Sequence, residues 1–210
     1  MPRKAGAPPA ATKERIIGAT LETLRTEGIA GASARAIGRT GGFNQALIFY
    51  HFGSLEDVYL AACDELSARR VRQYTDRIEG VTTLRELVGV ATELHREDTA
   101  EGHIAVLSQL LAGSVTNPAL KAPLRERFQP WMDIVQVAIE RVVAGTPYAA
   151  LVPASDLAFV VTSLFMGIEL TTGLEDDPAR AESLFRTISL MATLLEGLLA
   201  VPPAMDLSGP

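Results

Sequence analysis

Ser33-Ala34-Arg35-Ala36-Ile37-Gly38-Arg39-Thr40-Gly41-Gly42-Phe43-Asn44-Gln45-Ala46-Leu47-Ile48-Phe49-Tyr50-His51-Phe52-Gly53-Ser54-Leu55-Glu56-Asp57 decides the reading of this chain. Two short helix patterns are split by a double glycine and closed by an aromatic cluster. Ser33 is a good N-cap for a helix of about two turns, and the Gly41-Gly42 pair supplies the positive φ that a sharp turn between helices requires. Asn44 is a second N-cap, which puts Gln45, Ala46 and Leu47 in the first turn of the following helix. This is the pattern of a helix-turn-helix, whose second helix turns its first residues toward base edges in DNA.

The block resembles the tetracycline-repressor (TetR) family of bacterial regulators, whose signature ends in an aromatic-Tyr-His-Phe run followed by Ser-Lys-Glu. Here the run is Phe49-Tyr50-His51-Phe52, then Gly53-Ser54-Leu55-Glu56. The likeness extends upstream through Ile16-Ile17-Gly18-Ala19-Thr20-Leu21, Leu24 and Glu27-Gly28-Ile29, covering about the first 60 residues. Leu55 stands where members usually carry a phosphate-facing lysine, and Ala46 and Leu47 replace a common glycine and a small residue. The resemblance then implies weaker backbone contact at Leu55 and an unusual base preference.

With 210 residues and 48% hydrophobic content, the chain is long enough to bury one or two cores without disulfides or metals. Cys63 is the single cysteine, and no charged-then-apolar signal segment opens the chain, so a reducing cytoplasm is expected. The longest charge-free apolar stretch, Leu157 to Ile168, falls short of the roughly 20 residues that span a bilayer, and no membrane partner is expected. The net charge of −6 is unevenly spread: residues 1 to 53 carry seven Lys or Arg against three Glu, a net of +4, leaving −10 for the rest. A basic head on an acidic body orients a DNA binder, because only the head gains from releasing counterions at phosphates.

The predicted class is all-α: an N-terminal three-helix helix-turn-helix DNA-binding domain followed by a C-terminal helical ligand-binding and dimerisation domain. Met1 to Ala11, with three prolines and two basic residues, reads as a mobile arm. Residues 12–53 form the head: Thr12 caps a helix running to about Thr26 with Ile16, Ala19, Thr20 and Leu24 inward, and Glu27-Gly28 ends it. Ile29, Ile37, Phe43, Ile48 and Phe52 are expected to complete a small three-helix core. The body takes residues 54–201, and 202–210 form a tail. Ser54 caps a linking helix to about Ile78, and further helices are expected at Thr83 to Thr99, Gly102 to Thr116, Pro118 to Ala144, Ser155 to Leu174 and Pro178 to Val201.

The last two of these carry no charge between Asp156 and Glu169 or between Arg186 and Glu196. Leu157, Val160, Val161, Leu164, Phe165 and Ile168 form a stripe wider than one core face needs, and Leu184, Ile188, Met191, Leu195 and Leu198 form another. They are expected to pair with their symmetry mates in a four-helix homodimer seam, as the resemblance also implies. The plainer alternative is that the stripes fill a monomer's core.

Gln45 is the best candidate for a base-edge contact, since its amide pairs bidentately with adenine. Asn44 and Ala46 flank it, Arg35 reaches a guanine or a phosphate, and Leu47 packs on a thymine methyl. Ser33, Tyr50, His51 and Ser54 match positions that contact phosphate in the family, although Ser33 and Ser54 also serve as caps and His51 as a structural hydrogen-bonder. The resemblance further implies a small-molecule effector site in the body, for which His95, His103, Ser108, Gln109, Phe128, Trp131, Met132, Met166, Glu169 and Thr172 are suitable. No cofactor or metal is expected. The three histidines and one cysteine are scattered, with no phosphate loop or nucleophile elbow, which argues against an enzyme. A helical scaffold with a vestigial head is the remaining alternative.

Overall fold

The computed structural model describes residues 9–101, 103–144, 146, 149, 152–172 and 179–199, apart from the side chains of residues 69, 99–101, 103, 172 and 198–199. The expected tail, most of the expected arm and the side chains of His103, Thr172 and Leu198 lie outside this set. Among the described residues there are nine helices and no strand: α1 (Pro9–Gly31), α2 (Ala34–Gly41), α3 (Ala46–Phe52), α4 (Leu55–Ile78), α5 (Leu84–Glu101), α6 (His103–Thr116), α7 (Pro118–Val143), α8 (Ala154–Thr172) and α9 (Ala179–Leu199). The chain is thus all-α, with an N-terminal helix-turn-helix followed by a helical C-terminal region.

The first helix departs from expectation at its start. It is already helical at Pro9, the first described residue and three before Thr12, and a proline is tolerated in a first turn because its missing N–H would lack a helical acceptor anyway. Toward the other end Gly28 adopts φ 67 and ψ 174, breaking the helix where the Glu27-Gly28 signal placed its stop. Ile16, Ala19, Thr20 and Leu24 are all buried. Thr20 and Thr23 return their hydroxyls to the carbonyls of Ile16 and Ala19, at 2.8 and 2.7 Å, so neither buried hydroxyl is orphaned.

Described residues fall into two compact units, 1–71 with 101–129 and 72–100 with 130–210. In the first, Ile16, Leu24, Ile37 and Ile48 are fully buried, and Ile29, Phe43 and Phe52 pack partly buried around them. Three helices alone do not close this core, contrary to the sequence reading. Val58, Ala62 and Cys63 of α4, Val106 and Leu110 of α6, and Leu120 and Leu124 of α7 are buried in the same cluster. Tyr59 of α4 donates its hydroxyl to the Ala32 carbonyl, and burial together with nearby Glu56 pushes its pKa up to about 12. Arg127 of α7 grips Asp64 of α4 with two guanidinium nitrogens, at 2.7 and 2.9 Å.

The second unit centres on Ile78, Val81, Leu87, Ala138, Ile139 and Ala158. Its helix ends are satisfied by side chains. Arg141 donates to the Ile78 and Glu79 carbonyls at the end of α4, and Glu196 of α9 accepts from the Arg85 N–H in the first turn of α5. By length and composition alone, Ala154–Thr171 of α8 is long and apolar enough to cross a membrane, with mean hydropathy 1.4. The sequence reading had counted only the charge-free Leu157 to Ile168. The helix is nevertheless tied into this unit, where Ala158 and Ile168 are buried and Glu169 is paired inside.

Gly42 has φ 64 and ψ 40, and its N–H and that of Phe43 bond back to the Arg39 and Gly38 carbonyls. This is a Schellman closure of α2. Only Gly42 of the expected pair takes the left-handed conformation; Gly41 allows Phe43 to pass, since a Cβ there would meet the Phe43 ring at 2.1 Å. A Cβ on Gly38 would lie 2.9 Å from the Phe43 carbonyl oxygen. Gly42→Ala is expected to lower stability by about 1–2 kcal/mol through the left-handed strain. Gly38→Ala is expected to cost more despite a gain of about 1 kcal/mol in helix propensity, because the obstructing atom is backbone. Urea unfolding of both variants checks the order, and a Gly38→Ala protein as stable as its parent contradicts the packing.

Candidate nucleic-acid interface

Ser33 caps α2 as expected, its hydroxyl accepting from the Ala36 N–H at 3.2 Å. Asn44 does the same for α3, its Oδ1 accepting from the Ala46 N–H at 2.9 Å. Gln45 is already helical in φ and ψ, and its carbonyl receives the Ile48 N–H. The closure at Gly42 and the restart at Asn44 leave an open concavity lined by Arg35, Gly38, Arg39, Gly42, Phe43, Asn44 and Gln45. It is basic. Arg39 shares its charge with Glu27 at 2.6 Å, while Arg15 lies over the Phe43 ring and donates to the Gly42 carbonyl at 3.2 Å.

Arg35, Asn44, Gln45, Ala46 and Tyr50 are exposed, Tyr50 by 81%. His51 is half-buried with its ring edge-on to Tyr50 at 4.9 Å. Leu47 is partly buried and packs on the first unit's core. Leu55 packs on the same core. Sequence reasoning also passed over Phe49, which is 50% exposed beside Tyr50. Ser54 caps α4, accepting from the Asp57 N–H at 3.0 Å while donating to the Asp57 carboxylate at 2.6 Å.

The expected ligand set divides between the units. Gln109 and Phe128 belong to the first, where Phe128 packs on the core and Gln109 Oε1 is buried without a hydrogen-bond partner. In the second, His95 Nδ1 lies 2.5 Å from Glu169 Oε1, with side chains only 8% and 3% exposed, and the Phe185 ring sits 4.8 Å from the imidazole. Trp131 meets Tyr74 edge-on at 4.8 Å, and Tyr74 donates its hydroxyl to Asp98. Met132 packs on the second core and Met166 is half-buried. Ser108 is half-buried and returns its hydroxyl to the Ala105 carbonyl.

Of the residues expected in the dimer seam, Leu164, Leu184, Met191 and Leu195 are exposed and Phe165 and Ile188 half-buried. Leu157 and Val161 pack on the second unit's own core, and Ile168 is buried. Val160 of the expected stripe is exposed too, and Phe159 and Leu170 of α8 with Leu190 and Leu194 of α9 add to the exposed apolar surface. Part of the expected seam therefore lies open to solvent, while Leu157, Val161 and Ile168 serve the unit's own core.

Residues 16–62 match the family model described as bacterial regulatory proteins, tetR family. An uncharacterised HTH-type transcriptional regulator of Mycobacterium tuberculosis is 26% identical over 190 residues, 89% of this chain and 94% of its own length. A crystal structure of a TetR-family transcriptional regulator from Rhodococcus is similar at TM-score 0.68 and 19% identity, covering 91% of this chain and 100% of that one. The multidrug-binding protein EbrR, solved with imidazole, is similar at TM-score 0.57 and 23% identity, over 92% and 98% of the two chains. With a capped two-helix turn facing solvent, residues 16–62 match the N-terminal module of the bacterial tetR regulators, and the likeness to HTH-type transcriptional regulators runs on through the helical body.

Proposed function

We propose that the protein is a cytoplasmic, ligand-responsive repressor that binds a near-palindromic operator as a homodimer and is released by a small molecule. The observation that carries this is the solvent-facing turn of Arg35, Asn44, Gln45 and Ala46, whose backbone is fixed by two caps and whose side chains are left exposed. Gln45 reads an adenine edge and Arg35 a guanine or phosphate, while Ser33, Tyr50, His51 and Ser54 meet phosphates and set the register. Gln45→Ala should relax preference at one base pair, costing about 1–3 kcal/mol on the cognate duplex, whereas Tyr50→Phe should weaken cognate and random duplexes alike. Gel shifts on the region beside the gene and on unrelated duplex separate the two, and equal losses for both variants contradict the division of roles.

One head makes few contacts, so two must act together on successive major grooves about 34–36 Å apart. The exposed faces of α8 and α9 suit an isologous seam: Phe159, Val160, Leu164, Leu190, Met191 and Leu194 lie open on helices otherwise fastened into their own unit. Cβ atoms on Gly167 and Gly197 would meet nothing, so both positions allow close approach of a partner helix. Light scattering after size exclusion should give a dimer at micromolar concentration and a monomer for Leu164→Glu combined with Leu194→Glu. A monomeric parent overturns the seam.

Effector binding falls to the second unit, where the His95–Glu169 pair, Trp131, Met132 and Met166 supply polar groups among apolar walls. EbrR, solved with imidazole, supports a ligand-binding role for such a body. Release follows if the ligand favours a body conformation in which the two heads leave groove register. Linkage then requires operator DNA to weaken ligand binding by the same factor that ligand weakens DNA binding. Calorimetric titration of a screened ligand with and without operator should show that equality, and an unchanged ligand constant rejects the coupling.

A further inference from the structure

Around α3, residues 45, 46, 49 and 50 are exposed while Leu47, Ile48, His51 and Phe52 are buried or partly so. The offsets of zero, one, four and five place the exposed four on a single helical face. Three of them suit a polar or close-packed groove floor: Gln45 has an amide, Tyr50 a hydroxyl, and Ala46 is small. Phe49 has no polar atom and leaves half of its surface in water. Leu47, the residue expected from the sequence to make apolar contact with DNA, spends part of its surface packing on the core and leaves less of it open than Phe49 does.

A helix face docked in the major groove meets hydrogen-bond donors and acceptors on every base pair, and a single apolar group, the thymine C5 methyl. We propose that Phe49 is a specificity-determining residue that reads a thymine through that methyl, about two base pairs from the pair read by Gln45. The spacing follows because four residues of helix advance about 6 Å and one base step about 3.4 Å. Phe49 takes over the role expected of Leu47 because it lies one turn beyond Gln45 on the exposed face. The inference rests on the reading that α3 enters the major groove.

The test uses the full-length protein and a duplex that it selects from a random-sequence library, with each thymine replaced singly by deoxyuridine so that only the methyl is lost. One replacement, about two base pairs from the position that Gln45→Ala relaxes, should weaken binding about fourfold, the equivalent of one buried methyl. Phe49→Ala should weaken binding to the parent duplex and show no further loss at that deoxyuridine, while Phe49→Leu should remain sensitive to it. An unchanged melting temperature in both variants, expected for a half-exposed side chain, assigns the loss to the interface. If no thymine methyl matters, or if the Phe49→Ala and deoxyuridine losses add independently at every position, the proposal is overturned. If the parent enriches no duplex at all, the groove reading fails first and this inference with it.

Discussion

A helix-turn-helix of this size cannot close its own core, and that constraint governs the first unit. Ile16, Leu24, Ile37 and Ile48 are wholly removed from water only because α4, α6 and the first half of α7 cover them with Val58, Ala62, Val106, Leu110, Leu120 and Leu124. Surface-to-volume scaling explains the arrangement, since about 40 residues bury too little apolar area to offset their ordering. The reading head is therefore built on helices drawn from distant parts of the chain. Two of those helices, α4 and α7, continue as single elements into residues of the second unit. The chain thus passes from the groove-facing unit to the unit proposed to bind the effector within continuous helices.

What sequence patterns revealed depended on how local the governing physics is. Ser33, Asn44 and Ser54 were legible as caps because a side-chain acceptor two or three residues before an N–H is a local relation. The stop at Gly28 and the turn at Gly42 were legible because only glycine adopts those angles without strain. The helical state of Pro9 was not legible, because a proline-rich stretch with little apolar surface carries the same pattern whether it is extended or opens a helix. The cover of the head core was invisible, since nothing in residues 12–53 announces which distant helices complete it.

Side-chain direction was the least legible property. Leu47 and Phe49 differ by two positions and end on opposite sides of α3, yet their local sequence gives both an apolar character. On α8 and α9 the long charge-free runs likewise leave open which apolar residues face the unit's own core, where Leu157, Val161 and Ile168 lie, and which face solvent. Glu169 stood out because it adjoins an otherwise apolar run, and the structure pairs it with His95 across 74 residues. Gln109 and Phe128, chosen by residue type alone, fall in the other unit.

The cap at Ser54 carries a consequence for how the regulator finds its target. Its one hydroxyl proton already points at the Asp57 carboxylate, so contact with a backbone anion there must break an existing bond beside a negative charge. Leu55, next in sequence, is folded inward and offers no cation in compensation. Attraction to any duplex regardless of sequence comes from such charge contacts, so in the proposed bound state that attraction falls to the basic side of the head around Arg35 and Arg39 rather than to the start of α4.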